Sequence, residues 1–395
     1  MTDEIVILPG VRTAFGEFGG SLRDFSATDL GVFAAKGAME KAGVDPAEID
    51  HVVFGNALQT SGDAIYLSRH IGLRAEIPKE VPALTVNRLC GSGFESIIQA
   101  VRLINNQEAR FVLAGGTESM SQAPHCIWGA RWGFRLGDQK LHDLLWTALT
   151  DSYSGFSMAQ TAENLAERYG ITRREVDEYA YMSQMRTRDA INSGKFDEEI
   201  VPVKIKTSKG ILEFKQDEHP RPDTTVEGLS KLRPYFKEDG TITAGNASGI
   251  CDGAASVVIT TGRIAEDNKL KPLGKIISWG LSGCDPDIMG IGPAPASKIA
   301  LNKAGITLSN IDLVEINEAF SPQYLAVERE MKLNREKTNV NGGAIALGHP
   351  LAASGTRLTL TLLYELRRRG KRYGLASACI GGGQGAAIVV EAFVD

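Results

Sequence analysis

The chain contains the same passage twice, and that repetition narrows the folds open to it more than any other feature. AGVDPAEIDHVVFGNA at residues 42–57 returns as AGITLSNIDLVEINEA at residues 304–319; the offset from position 42 to 304 is 262 residues. Both copies lead from an Ala-Gly helix end, through an Ile-Asp pair, into an apolar strand that stops at a polar turn. A second parallel follows each copy, at VPALTVNRLCGSGFES and at TNVNGGAIALGHPLAASG. Each reads as an apolar strand, a Gly-rich turn with a reactive side chain, and an amphipathic helix. Strands alternating with helices of ten or more residues predict an α/β fold of two similar halves, with parallel sheets covered by helices. In such sheets active sites gather at the strand ends.

The expected division is an N-terminal unit over residues 1–120, completed by 250–271, an inserted region over 121–249, and a C-terminal unit over 272–395. The insert differs in texture. Trp128, Trp132 and Trp146 crowd its start, and two helices follow. The first, over 159–169, places Ala162, Leu165, Ala166 and Tyr169 on one face and ends at Gly170. The second opens with a capping box, Thr172 to Glu175, and runs to Gly194. On pattern alone a substrate-binding cradle and a purely structural insertion stand level.

Charge excludes some partners. With 43 basic and 48 acidic residues the net charge is −5, which gives no electrostatic footprint for nucleic acid or an anionic membrane surface. An acidic opening, MTDEIVILPG, and the absence of a long unbroken apolar run predict neither a secretory signal nor a membrane span, so a cytoplasmic protein is expected. The five cysteines are widely separated, with no C-x-x-C pair or zinc-like histidine spacing, and are expected to be free and reduced. His125 beside Cys126 reads as surface loop.

Cys90 lies after an apolar strand and before a helix whose Phe94, Ile97, Ile98, Val101 and Ile104 share a face, with Ser92 placed to cap it. A sulfur near a helix N-terminus is favoured as thiolate. Flanking Gly91 and Gly93 are expected to leave room for a substrate, although a random cysteine is more often a small buried hydrophobe. Cys379 ends YGLASAC and precedes a glycine run, 381–385, interrupted by Gln384. Its backbone N–H groups suit an oxyanion hole, and a plain turn between two strands explains the same letters. His349, in a Gly-rich turn, occupies the place in the second half that Cys90 holds in the first, so pseudo-symmetry brings a cysteine and a histidine face to face. Asn317 and Glu318 end the repeated strand, where an amide or carboxylate would point at the same focus; a polar strand end is also simply where strands end, and the pattern alone does not single these two out.

With NRLCGSG at 87–93, NEAF at 317–320, GHP at 348–350 and CIGGGQG at 379–385 in this order, the chain resembles the thiolase family along essentially its whole length. GTESMSQAPH at 116–125, SGCDPDIMGIGP at 282–293 and SPQYLAVERE at 321–330 look most like the mitochondrial-type 3-ketoacyl-CoA thiolases, with acetoacetyl-CoA-forming members very close. The resemblance implies two βαβαβαββ halves stacked as a five-layer αβαβα core, with the insert as a loop domain that binds coenzyme A. It implies Claisen condensation of acetyl-CoA, or the reverse thiolytic cleavage of 3-ketoacyl-CoA as in β-oxidation, through an acyl-Cys90 intermediate.

In the implied chemistry His349 takes the Cys90 proton, Cys379 removes a proton from acetyl-CoA, and Asn317 fixes a water that helps hold the enolate. The backbone N–H groups of Cys90 and Gly381 form the oxyanion hole. Coenzyme A enters as substrate and product, with no metal or redox cofactor. Arg221 is expected by the adenine and phosphates; Leu149, Met158, Phe236, Ala244, Ser248 and Phe320 along the pantetheine tunnel; and Met289 at the acyl end. KLRPYFK at 231–237 adds a weak independent basic hint.

Ser157 stands where many acetoacetyl-CoA thiolases carry histidine, which puts strict short-chain specificity in doubt. Gly228 and Ala352 are milder departures from the pattern. A homotetramer, as a dimer of dimers, is the family expectation, and a mitochondrial matrix location would require a removed transit peptide. The rival readings are a decarboxylating ketoacyl synthase, a non-catalytic acyl-CoA-binding relative and a cysteine hydrolase; none of them calls for Cys379.

Overall fold

A computed structural model describes residues 3–208 and 210–394. In the first half the elements are β1 (Ile5–Ile7), α1 (Ala27–Ala42), β2 (His51–Gly55), α2 (Leu67–Arg74), β3 (Ala83–Val86), α3 (Ser92–Asn105) and β4 (Val112–Glu118). The insert contributes α4 (Met158–Tyr169) and α5 (Arg173–Asn192). The chain then gives β5 (Cys251–Thr261), β6 (Gly274–Gly283), α6 (Pro293–Ala304), β7 (Leu313–Ile316), α7 (Ser321–Met331), α8 (Leu351–Arg368), β8 (Tyr373–Ile380) and β9 (Gln384–Ala392).

The duplication holds down to single hydrogen bonds. Gly43 and Gly305 end α1 and α6 in the left-handed conformation, at φ 69° and 68°. Asp50 accepts from the backbone N–H groups of Arg110 and Phe111, and Asp312 from those of Arg372 and Tyr373. The Ile-Asp pair of the repeat therefore anchors β2 to β4 in the first unit and β7 to β8 in the second.

Strand order is β7-β8-β9-β6-β1-β5-β4-β2-β3, with short segments attached at its side. Against the expectation of parallel sheets, the pairing is mixed. β2 runs parallel to β3 and β4, and β7 parallel to β8, but the β4–β5, β8–β9 and β6–β9 pairs are antiparallel. The reason is local: β8 and β9 are joined by a short hairpin, which only antiparallel strands permit, and β5 reaches β4 only after the whole insert. The second-half counterpart of β3 shrinks to a single bridge, Val314 to Thr338.

Helices α3 and α8 pack on each other and on strands of both halves, forming the middle layer. Helices α1 and α2 cover one outer face, and α6 and α7 the other, so five layers result. Close approach at the centre needs glycine. A Cβ on Gly116 would stand 1.8 Å from the Ala352 carbonyl oxygen, and one on Gly93 2.5 Å from the Thr356 nitrogen. Gly91 and Gly93 thus serve packing of α3 against β8 and α8; room for a substrate is not their role.

The insert is pinned by a buried charge cluster. Arg12 donates to Glu199 at 2.6 Å and in a bidentate fork to Asp217 at 2.7 and 2.9 Å, and Thr361 of α8 donates to Glu199. Arg12→Ala would strand two buried carboxylates and is expected to cost about 3–5 kcal/mol, read as a lowered midpoint in urea unfolding. An unchanged midpoint would contradict the account. Among the described residues no helix is long and apolar enough to cross a membrane.

Candidate active site

The turn between β3 and α3 presents Cys90. Leu89, just before it, adopts φ 46°, a conformation that costs a branched residue energy and is held by its surroundings. Ser92 does not cap the helix from outside, as expected; it is the first residue of α3. Its hydroxyl accepts from the Arg88 N–H and donates to the Leu89 carbonyl, clamping the turn.

The Gly381 N–H donates to the Cys90 sulfur, and the N–H of Cys90 itself also points there. The thiolate expected at this helix start is not what the environment favours. Burial, outweighing those two N–H groups, pushes the Cys90 thiol up to about 12. Glu118 adds to the effect; it is a fully buried carboxylate that accepts from Asn56 and from the backbone of Ala57, Leu58 and Ala352. Burial raises Glu118 itself to about 7.

Cys379 is buried near the end of β8, ahead of the hairpin turn Gly381–Gly383, in which Gly382 and Gly383 both have φ 81°. Burial first, and then the neighbouring Cys90 sulfur, hold its pKa well above the ordinary thiol value. The two sulfurs therefore face one focus, and the glycine run is both a strand-linking turn and the source of an N–H aimed at Cys90.

His349 sits between Gly348, at φ 94°, and the start of α8. Its Nδ1 is 2.6 Å from the Ser354 hydroxyl, which itself donates to the Pro350 carbonyl. The hydroxyl proton is thereby committed, so Nδ1–H donates to Ser354 and the unprotonated Nε2 accepts from the Asn317 side-chain NH2 at 3.2 Å. Burial, and secondarily Arg357, lower the His349 pKa to about 3, keeping the ring neutral. Asn317 Oδ1 is buried without a protein partner among the described residues. Glu318, expected at the same focus, points the other way: it accepts from Tyr179, Ser183, Asn339 and the Ile345 N–H. Adjacent residues at a strand end face opposite sides.

A cavity of about 760 Å³ reaches this focus from the insert side. Leu149, Met158, Phe236, Ala244, Ser248 and Phe320 line it together with His349. Cys90 packs against a buried cluster of Leu58, Met120, Leu145 and Leu351, the last three of which also line the cavity. Two expected contacts fall elsewhere. Arg221 is off the wall, its guanidinium turned to Glu17 and the Glu218 carbonyl. Met289 is buried behind the wall, in a cluster with Cys379, Ala319, Met158 and Phe320.

Arg233 and His219 line the cavity and were missed as individual residues; Arg233 lies within the basic KLRPYFK stretch, while nothing near His219 marks it. Nothing in the sequence signals the buried Glu118 or the Ser354 partner of His349 either. Ser157 lines the cavity while capping α4, accepting from the Gln160 N–H. Chemically, the site offers a half-buried thiol beneath two N–H donors, a neutral imidazole base and a second, fully buried thiol.

The chain is similar to known proteins along nearly its whole length. The family model described as thiolase, N-terminal domain, matches residues 5–263, and that described as thiolase, C-terminal domain, matches residues 270–392. A human protein named 3-ketoacyl-CoA thiolase, mitochondrial, is 55% identical over 388 residues, covering 98% of each chain. An acetyl-CoA acetyltransferase of Syntrophomonas wolfei is 46% identical over 397 residues, covering 99% of this chain and 100% of its own. The crystal structure of human mitochondrial 3-ketoacyl-CoA thiolase superposes with a TM-score of 0.98 at 55% identity, covering 99% of this chain and 100% of that one. Two matched domains in sequence and one fold in space lead to one conclusion: the chain belongs to the thiolase family.

Proposed function

We propose that this protein makes and breaks carbon–carbon bonds between acyl groups carried on coenzyme A, with Cys90 as acyl acceptor. The observations that carry the reading are a cavity with His349 in its wall, Leu145 and Leu351 shared between that wall and the cluster on which Cys90 packs, and a Cys379 sulfur close enough to Cys90 to feel its charge. The names of the human and bacterial relatives, and the solution of a human relative in complex with CoA, support the substrate class.

In the cleavage direction, Cys90 Sγ attacks the 3-keto carbon and its proton passes to His349 Nε2. The bond between the second and third carbons breaks, and the electron pair becomes the acetyl-CoA enolate. Cys379 protonates the enolate carbon; its raised pKa suits it to start as the acid. The enolate oxygen rests against His349 and a water held by the free Asn317 Oδ1. A fresh coenzyme A thiol gives its proton to the Cys379 thiolate and attacks acyl-Cys90, whose sulfur recovers a proton from His349. The N–H groups of Cys90 and Gly381 receive the oxyanion, each worth about 3 kcal/mol. Condensation is the same path reversed. No metal or redox group is called for, because the thioester itself acidifies the neighbouring carbon.

Coenzyme A would occupy the 760 Å³ cavity, its pantetheine arm along Leu149, Phe236 and Ala244 and its charged end near Arg233, with Arg221 at the rim. The expected cytoplasmic placement draws no support from the animal relatives, which are named mitochondrial; a mitochondrial location is the one they favour. The homotetramer is proposed on an apolar arm near residues 127–141, where Trp132 is 87% and Leu136 97% exposed and calls for cover. A monomer mass by light scattering would sink it.

The function is tested by coenzyme A-dependent cleavage of acetoacetyl-CoA and longer 3-ketoacyl-CoA substrates, followed as loss of the enolate absorbance. Because serine replaces histidine at 157, turnover is expected to extend beyond acetoacetyl-CoA. No coenzyme A-dependent loss at any chain length would refute the reading.

A further inference from the structure

His219 comes from the insert and meets the catalytic-histidine loop directly at Ala346 and indirectly through Gly249. Its Nδ1 is 3.0 Å from the Ala346 carbonyl oxygen. A carbonyl can only accept, so Nδ1 carries the proton and Nε2 is an acceptor. The ring lies against Gly249, where a Cβ would be 2.2 Å from Nε2. The Gly249 carbonyl in turn accepts the His349 N–H at 2.9 Å. Burial lowers the His219 pKa, which keeps the ring neutral. His219 lines the cavity beside Ser248 and Gly249, and its Nε2 has no protein hydrogen-bond partner among the described residues.

The cavity wall is otherwise rich in side chains that cannot accept a hydrogen bond, such as Leu149, Met158, Phe236 and Phe320. A fixed acceptor on such a wall selects a ligand that brings an N–H donor. Pantetheine carries two amide N–H groups between its phosphate end and its sulfur. We infer that His219 is a ligand-binding residue whose Nε2 accepts a pantetheine amide N–H, fixing the depth to which the thioester reaches Cys90. This rests on the coenzyme A reading of the cavity.

The test uses the full-length protein, acetoacetyl-CoA and coenzyme A. His219→Phe keeps a flat ring against Gly249 and removes both nitrogens; KM is expected to rise about 5- to 10-fold with kcat within about twofold. His219→Gln restores a donor and an acceptor and is expected to bring KM back to within about twofold of wild type. Iodoacetamide, which needs no pantetheine contact, should inactivate His219→Phe through Cys90 at the wild-type rate. The inference is overturned by an unchanged KM in His219→Phe. It is equally overturned by equal KM losses in the Phe and Gln variants, or by a fall in kcat with altered alkylation, which would make His219 a prop for the loop. A wild-type protein that turns over no coenzyme A thioester removes this inference together with the function reading, whereas normal turnover with any of the former results removes this one alone.

Discussion

Cys379→Ala is expected to accept an acetyl group from acetyl-CoA at Cys90 and yet to form and cleave carbon–carbon bonds about 10²–10⁴-fold more slowly than wild type. The expectation follows from the separation of tasks between the sulfurs. Cys90 receives two N–H groups, is only partly buried and packs on a cluster that shares Leu145 and Leu351 with the cavity wall, so a thioester carbonyl can reach it. Cys379 is fully buried, with no such donor from another residue, and its raised pKa makes it a proton carrier that resists acylation. Removing it leaves acyl transfer between thiols intact and takes away only the proton step at carbon. A cysteine hydrolase would be indifferent to the change. Full condensation activity in Cys379→Ala would therefore sink the role assigned to this residue.

The second large effect concerns the nucleophile. Cys90→Ala is expected to lower turnover in both directions on the order of 10⁴-fold or more, about 5.5 kcal/mol of barrier, without changing the unfolding midpoint by more than about 1 kcal/mol. pH dependence gives the same thiol a second signature. Because burial holds Cys90 above the ordinary cysteine value of about 8.5, its thiolate fraction keeps growing through that pH. Inactivation of the wild-type protein by iodoacetamide should accordingly accelerate beyond pH 8.5 without a plateau there. A plateau near pH 7 would mean that the helix start and the Gly381 N–H outweigh burial.

Much of the architecture was readable because it was written twice. The repeat located β2 and β7 and the helix ends at Gly43 and Gly305, and the turns at equivalent strand ends singled out Cys90 and His349, whereas Asn317 and Cys379 were singled out by the family resemblance. What could not be read were properties set by tertiary surroundings. Sheet direction depended on a hairpin at 381–383 and on where β5 returns after the insert. The ionisation of Cys90 depended on how much of the sulfur is buried, which outweighs any local helix effect. Glu318 looked like Asn317 in sequence and was separated from it only by strand alternation, which turned its carboxylate to Tyr179 and Ser183. Glu118 and His219 act through partners 234 and 127 positions away, and such pairings leave no local pattern; Ser354 lies five positions from His349, where a serine near a helix start reads as an ordinary helix residue.

The measurement that bears most directly on the whole account is peptide mass mapping of the wild-type protein after brief incubation with acetyl-CoA and an acid quench. An acetyl group on Cys90 and on none of the other four cysteines, discharged by added coenzyme A to regenerate acetyl-CoA, is the predicted result. Acetylation at Cys379 instead, or a Cys90 that remains unmodified while turnover proceeds, would contradict it.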